Sequence, residues 1–267
     1  MKTKPSAGRT YAVITGAANG LGRIYARELA RRGYGIIAID KSADGLAELG
    51  KLLDAGIPFH FYETDLTDED QIERISQQIN EGFPVEVLIN NVGTGGTRRF
   101  EQADPDYIAN IIRLNVLPVS LLTRALLPNL MQRPQAYVLN VGSLSAFTPN
   151  GYKTVYPASK SFVHFLSRGL YFELRHTPVH VAVVHPGPMP TNPEIRSRIA
   201  KQGRLARWAL SDPEKTVRVS LDKMFRRKSL IFIDWPNRIN WMLTRLAPES
   251  VLARFMTRVV RRELERE

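Results

Sequence analysis

Apolar residues in this chain gather into short, nearly unbroken runs, and between the runs they recur every three or four positions. The runs TYAVIT (10–15), YGIIAID (34–40), IPFHFYETD (57–65), VEVLIN (85–90), QAYVLNVGS (135–143) and VHVAVVHPG (179–187) read as strands. A helical period passes through Ile24, Leu29 and Ala30, and again over 42–56, with Ser42 as its cap and Gly56 as its stop. Further helical patterns cover 68–81, about 105–130 and about 155–175, and KSLIFID (228–234) offers a last strand. Strands that are apolar on both faces and alternate with helices predict a parallel sheet covered on both sides. The expected class is therefore α/β, a doubly wound and mostly parallel sheet. A chain of 267 residues is long enough to bury it as one domain.

The pattern changes after the sixth strand. GPMPTNPEIRSRIAKQGRLARWALSD (187–212) places three prolines within 188–193 and then five basic residues. Following a strand at the carboxyl edge of the sheet, this segment is where a substrate-covering lid is expected. From Trp235 onward the chain reads as one or two amphipathic helices. Residues 1–235 are thus assigned to the catalytic domain, lid included, and 236–267 to a C-terminal helical extension.

Between the first strand and first helix lies TGAANGLG (15–22). Gly16 permits a tight turn, Gly20 lets a phosphate approach the backbone, and Gly22 lets helix and strand pack closely, with helix amides facing the anion. Asp40 ends the second strand, where a carboxylate accepts the hydroxyls of an adenosine ribose and repels a 2′-phosphate, which favours NAD. Lys41 beside it keeps NADP open, and a helix cap or a solvated strand end is the plainer role for Asp40.

YKTVYPASK (152–160) sets Tyr156 and Lys160 at i and i+4 on one helical face. A phenol titrates near pH 10, so it moves protons at neutral pH only where its surroundings help. Tyr152 either lines a pocket or packs. On spacing alone, the Tyr156–Lys160 pair also fits an ordinary solvated helix.

These motifs together resemble the short-chain dehydrogenase/reductase family over about residues 9–192. TGAANGLG matches the family's TGxxxGxG, which brings Asn19 and Leu21 of the turn into cofactor contact beside its glycines. TDL puts Asp65 and Leu66 where members contact adenine. NNVG (90–93), with Asn91 and Gly93, takes the place of the usual NNAG. Asn115 in RLNVLP, Ser143 in VGS and the pair Tyr156 and Lys160 match the catalytic set, and HPGPMPT, with Pro186 and Thr191, resembles the segment that closes over the nicotinamide. The resemblance implies a Rossmann fold and an oxidoreductase interconverting a carbonyl and a secondary alcohol. Tyr156 would be its general acid and base, Lys160 would favour the phenolate and grip the ribose, Ser143 would donate to the substrate oxygen, and Asn115 would hold a relay water. A non-catalytic dinucleotide-binding protein on the same fold is the alternative.

Charge and composition refine this. Net charge is +11, and the stretch from Glu194 to the end, with 18 Lys/Arg against 9 Asp/Glu, carries +9 of it. Apolar lid residues suit a lipophilic carbonyl substrate, and the lid's arginines suit an acidic one. The absence of cysteine excludes disulfides and thiolate chemistry and is compatible with a cytoplasmic setting. His60, His176, His180 and His185 fit no ligand spacing, so no metal is expected, and His164 reads as structural or surface. No run approaches 18 uncharged apolar residues, so no membrane span is expected. In ESVLARFMTRVVRRELE (249–265), Val251, Leu252, Phe255, Met256, Val259 and Val260 form one stripe flanked by arginines. Docking on the domain, a homo-oligomer or peripheral membrane contact would each cover it, whereas no base-reading module points to nucleic acid.

Overall fold

The computed structural model describes residues 8–189 and 211–264. Its strands are β1 (Tyr11–Thr15), β2 (Gly35–Asp40), β3 (Phe59–Glu63), β4 (Val85–Asn90), β5 (Ala136–Val141), β6 (Val179–His185) and β7 (Leu230–Phe232). The helices are α1 (Gly20–Arg31), α2 (Ala43–Lys51), α3 (Glu69–Gly82), α4 (Pro105–Met131), α5 (Val155–Glu173), α6 (Pro213–Phe225), α7 (Trp235–Leu246) and α8 (Glu249–Leu264). The strands form one sheet in the order β3-β2-β1-β4-β5-β6-β7, and every ladder is parallel. That is the doubly wound fold the run-and-period pattern predicts.

Strand alternation divides the core into two layers. Ala12, Ile14, Ile36 and Ala38 face Leu21, Tyr25 and Leu29 of α1, Leu46 and Leu49 of α2, and Val217, Leu221 and Met224 of α6. Tyr11, Val13, Ile37 and Ile39 face the other way, onto Ile72, Ile75 and Ile79 of α3 and Leu122, Leu126 and Leu130 of α4. Each fully buried side chain of this size contributes roughly 1.5–3 kcal/mol before ordering costs. Helix starts are fixed by acceptor side chains: Ser42, Asp68, Asp104, Asp212 and Asp234 each accept from a first-turn amide, worth about 1 kcal/mol apiece.

One boundary differs from the sequence expectation. Helix α2 ends at Lys51 rather than Gly56, because Leu52 and Leu53 turn back onto the carbonyls of Leu49 and Gly50. The C-terminal segment is two helices, parted where Ala247 takes an extended conformation ahead of Pro248, as the residue before proline must. Helix α4 is long and apolar enough to cross a membrane by length and composition, with a mean hydropathy of 1.4 over its best window. Asp106, Arg113 and Arg124 interrupt it, so it holds no uncharged run of 18 residues. This helix packs along α3, α5, β4 and β5, which accounts for its apolar character.

Candidate active site

The strand order reverses between β1, which leads to α1, and β4. At such a switch point the loops leaving the two strands diverge and open a crevice at the carboxyl edge. Asp40, Asp65, Asn91, Ser143 and Pro186 all leave the sheet at that edge.

The glycine turn is built for close approach. Gly16 and Gly20 have positive φ, at 66° and 53°, conformations that side chains resist. A Cβ on Gly22 would lie 1.9 Å from the carbonyl oxygen of Gly16, so only glycine lets α1 start against the turn. Asn91 locks the turn to β4, its Nδ2 donating to the carbonyls of Thr15 (3.0 Å) and Gly16 (3.2 Å). Asn19 caps α1 without a side-chain bond, and the first turn, which includes Leu21, carries no acidic residue. The amides and the positive end of α1 are therefore open to an anion, and this cradle fits a dinucleotide pyrophosphate.

Asp40 stands beside the turn. One carboxylate oxygen accepts from the Ala18 amide (3.0 Å) and the other from the Ser42 amide (3.1 Å). It braces the turn as well as ending the strand. Asp65 is exposed and accepts from both the amide and the hydroxyl of Thr67, while Leu66 beneath it is buried.

On the other side of the crevice, Ser143, Tyr156 and Lys160 converge. Ser143 follows β5 and begins a short 3-10 helix (Leu144–Phe147), its hydroxyl accepting from the Ser145 amide at 3.1 Å. That hydroxyl also hydrogen-bonds to the Tyr156 phenol. Lys160 is 6% exposed, its Nζ donating to the Val141 carbonyl at 2.9 Å and lying 6.0 Å from the centre of the Tyr156 ring. The loop after β4 presses on the pair: a Cβ on Gly93 would lie 3.3 Å from Lys160 Nζ, and one on Gly95 would lie 2.8 Å from the Tyr156 ring.

Burial dominates the electrostatics here. It raises the Tyr156 phenol above its ordinary value, with the Ser143 hydrogen bond opposing it. It also pushes the Lys160 ammonium down to about 8. For the phenol the larger effect is desolvation, which disfavours the phenolate.

The Asn115 side chain ties the loop after β4 to α5. Its Oδ1 accepts from the Thr94 amide (2.8 Å), and its Nδ2 donates to the Thr94 carbonyl (2.8 Å) and to the Ser159 hydroxyl (2.9 Å). Both ends of the amide are thus committed to fastening the 93–96 loop over Tyr156. Pro186 is buried and accepts from the Leu144 amide (3.2 Å). Thr191 and most of the 187–212 segment lie outside the described residues.

Tyr152 lines a narrow recess beside Tyr156, together with Phe100, Tyr107, Ile108 and Ile111, and Arg98 and Lys153 also border it. Its φ of 64° is unusual for a tyrosine and is the kind of local strain that gathers at functional sites. Sequence reasoning missed two buried polar chains. One runs from Thr123 through Asn90 and Asn140 to Ser167. The other links His164, His185 and Ser143. Among the described residues no cluster of three metal-ligating side chains occurs.

Comparison with known proteins agrees with this geometry. The very-long-chain 3-oxoacyl-CoA reductase-B of Danio rerio is 34% identical over 182 residues, covering 66% of this chain and 58% of that protein. The very-long-chain 3-oxoacyl-CoA reductase of Neurospora crassa is 31% identical over 222 residues, 80% of this chain and 64% of that one. The chain therefore spans about three fifths of the length of these curated relatives. Among solved structures, a short-chain dehydrogenase from Sphingobium yanoikuyae in complex with NADPH has a TM-score of 0.78 at 27% identity, covering 91% of this chain and 94% of that one. The bulky-bulky ketone specific alcohol dehydrogenase from Comamonas testosteroni has a TM-score of 0.77 at 25% identity, covering 91% and 93%. Residues 10–202 match the model of the short chain dehydrogenase family, and the chain belongs to that family.

Proposed function

We propose that this protein is a nicotinamide-dependent oxidoreductase that interconverts a carbonyl and a secondary alcohol on a lipophilic substrate. The observation that carries the reading is the convergence of buried Ser143 and Lys160 on half-buried Tyr156, across the crevice from a glycine turn that has no room for a Cβ at Gly22.

Gly16, Asn19, Gly20, Leu21 and Gly22 hold the pyrophosphate, Asp40 the adenosine ribose, and Asp65 and Leu66 the adenine. Asn91, Gly93, Pro186, Tyr156 and Lys160 hold the nicotinamide half, and Thr191 keeps the closing role that its motif implies. The dinucleotide, when bound, supplies the hydride that reaches the carbonyl carbon. Tyr156 gives its proton to the carbonyl oxygen, and a phenol held above its ordinary pKa reaches that point still protonated. Ser143 donates to the same oxygen and disperses its developing charge. Lys160 places a cation behind the phenol, and Asn115 positions the loop that covers both.

The recess beside Tyr156 combines apolar and aromatic walls with Arg98 and Lys153. That lining suits a carbonyl on a lipophilic chain that also bears an anionic group. The names of the 3-oxoacyl-CoA reductases and the bulky-ketone dehydrogenase above point the same way. The test is a panel of 3-oxoacyl thioesters and bulky ketones followed by nicotinamide absorbance with each cofactor. Tight dinucleotide binding without turnover on any of them would favour a non-catalytic binding protein instead.

NAD is the proposed cofactor, on the Asp40 carboxylate. Asp40→Ala is expected to weaken NAD binding by about tenfold, a loss of about 1.4 kcal/mol for a charge-assisted contact. NADP should lose less, because the repulsion of its 2′-phosphate goes too and Lys41 remains. Titration of both cofactors against parent and variant measures this, and a parent that already binds NADP more tightly refutes it.

Two apolar faces define the proposed partners. Phe162, Phe165 and Phe172 lie exposed on one side of α5, and a second copy of the chain is assigned to them. On the C-terminal helices, α8 docks through the Thr257 hydroxyl, which accepts from the Gly151 amide at 2.9 Å, and through buried Val260. Trp235, Met242, Leu243, Leu246, Val251 and Phe255 remain exposed there, near Arg245, Arg254 and Arg258. This face is assigned to peripheral contact with an anionic, cytoplasm-facing lipid surface. Leu246→Glu with Phe255→Glu should abolish sedimentation with anionic vesicles and leave melting and light-scattering mass unchanged. Vesicle binding equal to the parent's would remove the assignment, and a changed mass would give the face to a subunit contact.

A further inference from the structure

Two histidines meet directly behind the candidate active site. His185 ends β6 with no exposed surface, and His164, on α5, is 8% exposed. His185 Nδ1 lies 2.9 Å from the main-chain carbonyl of Ser143, and His185 Nε2 lies 3.0 Å from His164 Nδ1. A carbonyl only accepts, so the proton sits on Nδ1 of His185. With His185 neutral, its Nε2 is an acceptor and His164 must donate from its own Nδ1. The chain of donors therefore runs one way, from His164 to His185 to Ser143.

The surroundings enforce the neutral forms. Phe147 and Phe232 pack on the His185 ring, with ring centres 4.6 and 5.8 Å away. The charged groups acting on the pair are Arg168, Arg245 and Lys160, all cationic, and burial pushes His185 down to about 3 and His164 to about 4. Gly142 makes the contact sterically feasible, since a Cβ there would lie 2.7 Å from His185 Nδ1. The Ser143 carbonyl accepts a second bond from the Ala146 amide at 3.1 Å, so the residue is held from two directions while its hydroxyl faces Tyr156.

Resting on the oxidoreductase reading, we propose that the His164–His185 pair is a positioning device that grips the Ser143 backbone and thereby sets the Ser143 hydroxyl against Tyr156 and the substrate oxygen. His185 makes the grip, and His164, donating to Nε2, holds the His185 ring in the orientation that makes it. Neither histidine exchanges a proton with the substrate.

Two substitutions at one position separate the hydrogen bond from the packing. His185→Phe keeps a ring between Phe147 and Phe232 but leaves the Ser143 carbonyl one donor short. His185→Asn loses the ring but places an amide N–H where Nδ1 stood. The expected result is a fall in kcat of about tenfold or more in the Phe variant, with KM and dinucleotide affinity nearly unchanged, because small misplacement of a catalytic group costs rate rather than ground-state binding. The Asn variant should recover most of that rate even if it melts lower. Equal kcat in the two variants, or a loss that follows melting temperature, overturns the proposal. Nitrogen-15 shifts of the parent add a readout that needs no turnover. Protons on Nδ1 of both His185 and His164 support the chain, and a proton on Nε2 of His185 in the parent refutes it. If no substrate turns over in the parent, the oxidoreductase reading falls while the nitrogen shifts still decide the hydrogen-bond chain.

Discussion

Tyr156→Phe is expected to lower kcat by about 10² to 10⁴-fold, the usual range for losing a positioned general acid. Dinucleotide affinity should stay near the parent value. The substitution removes the transferable proton and the bond to Ser143, yet it keeps the ring against which the Gly95 loop packs. The pyrophosphate turn, on the far side of the crevice, is untouched. A pH profile sharpens the test. Burial raises the phenol, so carbonyl reduction, which needs the protonated form, should persist through neutral pH, and alcohol oxidation, which needs the phenolate, should climb as pH rises into the alkaline range. Steady-state rates in both directions with fluorescence titration of the cofactor measure all of this. A variant that turns over within about a factor of two of the parent ends the assignment of Tyr156 as acid.

The same residue shows what a sequence encodes well. The strand, glycine turn and helix from Tyr11 to Arg31, and the i, i+4 pair on α5, are local patterns. Local patterns determine which face a side chain occupies, and the parallel sheet follows from strands that have no polar face to show to water. Depth and partner are different quantities. That Lys160 donates to Val141, nineteen residues away, follows from how α5 lies on β5, which no period announces. The spacing puts a cation one turn from a phenol, but it does not announce that Lys160 is buried or that desolvation raises the phenol. Asn115 carries the right identity for its motif, while its two partners, Thr94 and Ser159, come from a loop and from another helix. His164 and His185 were the hardest to read. Twenty-one residues separate them, neither has ligand spacing, and only the passage of α5 behind β6 makes them neighbours. A single faint signal existed in the His-Pro-Gly at the end of β6, where a polar residue closes the apolar run 181–184.

The second large effect concerns the turn itself, and it contrasts one substitution at two glycines. In Gly22→Ala the added carbon would stand 1.9 Å from the Gly16 carbonyl oxygen, 2.7 Å from its carbon and 2.8 Å from Asn91 Nδ2. Two of the three obstacles are backbone, so no rotamer change relieves them and the turn must move away from α1. Overpacking of this kind costs about 1–3 kcal/mol of stability or more. Movement of the turn also breaks the alignment between the Asn91 bonds, the Asp40 brace at Ala18 and the amides at the start of α1. Because an anion site depends on several donors pointing at one place, dinucleotide affinity should fall by about a hundredfold, or roughly 2.7 kcal/mol. Gly169→Ala is the control. It lies in the exposed part of α5, with nothing within 4 Å of an added Cβ, and alanine there should leave cofactor binding alone and stabilise the helix by up to about 1 kcal/mol. Melting curves and cofactor titrations on the two variants check both halves. If Gly22→Ala binds the dinucleotide as the parent does, the turn is a packing feature and the phosphate cradle lies elsewhere.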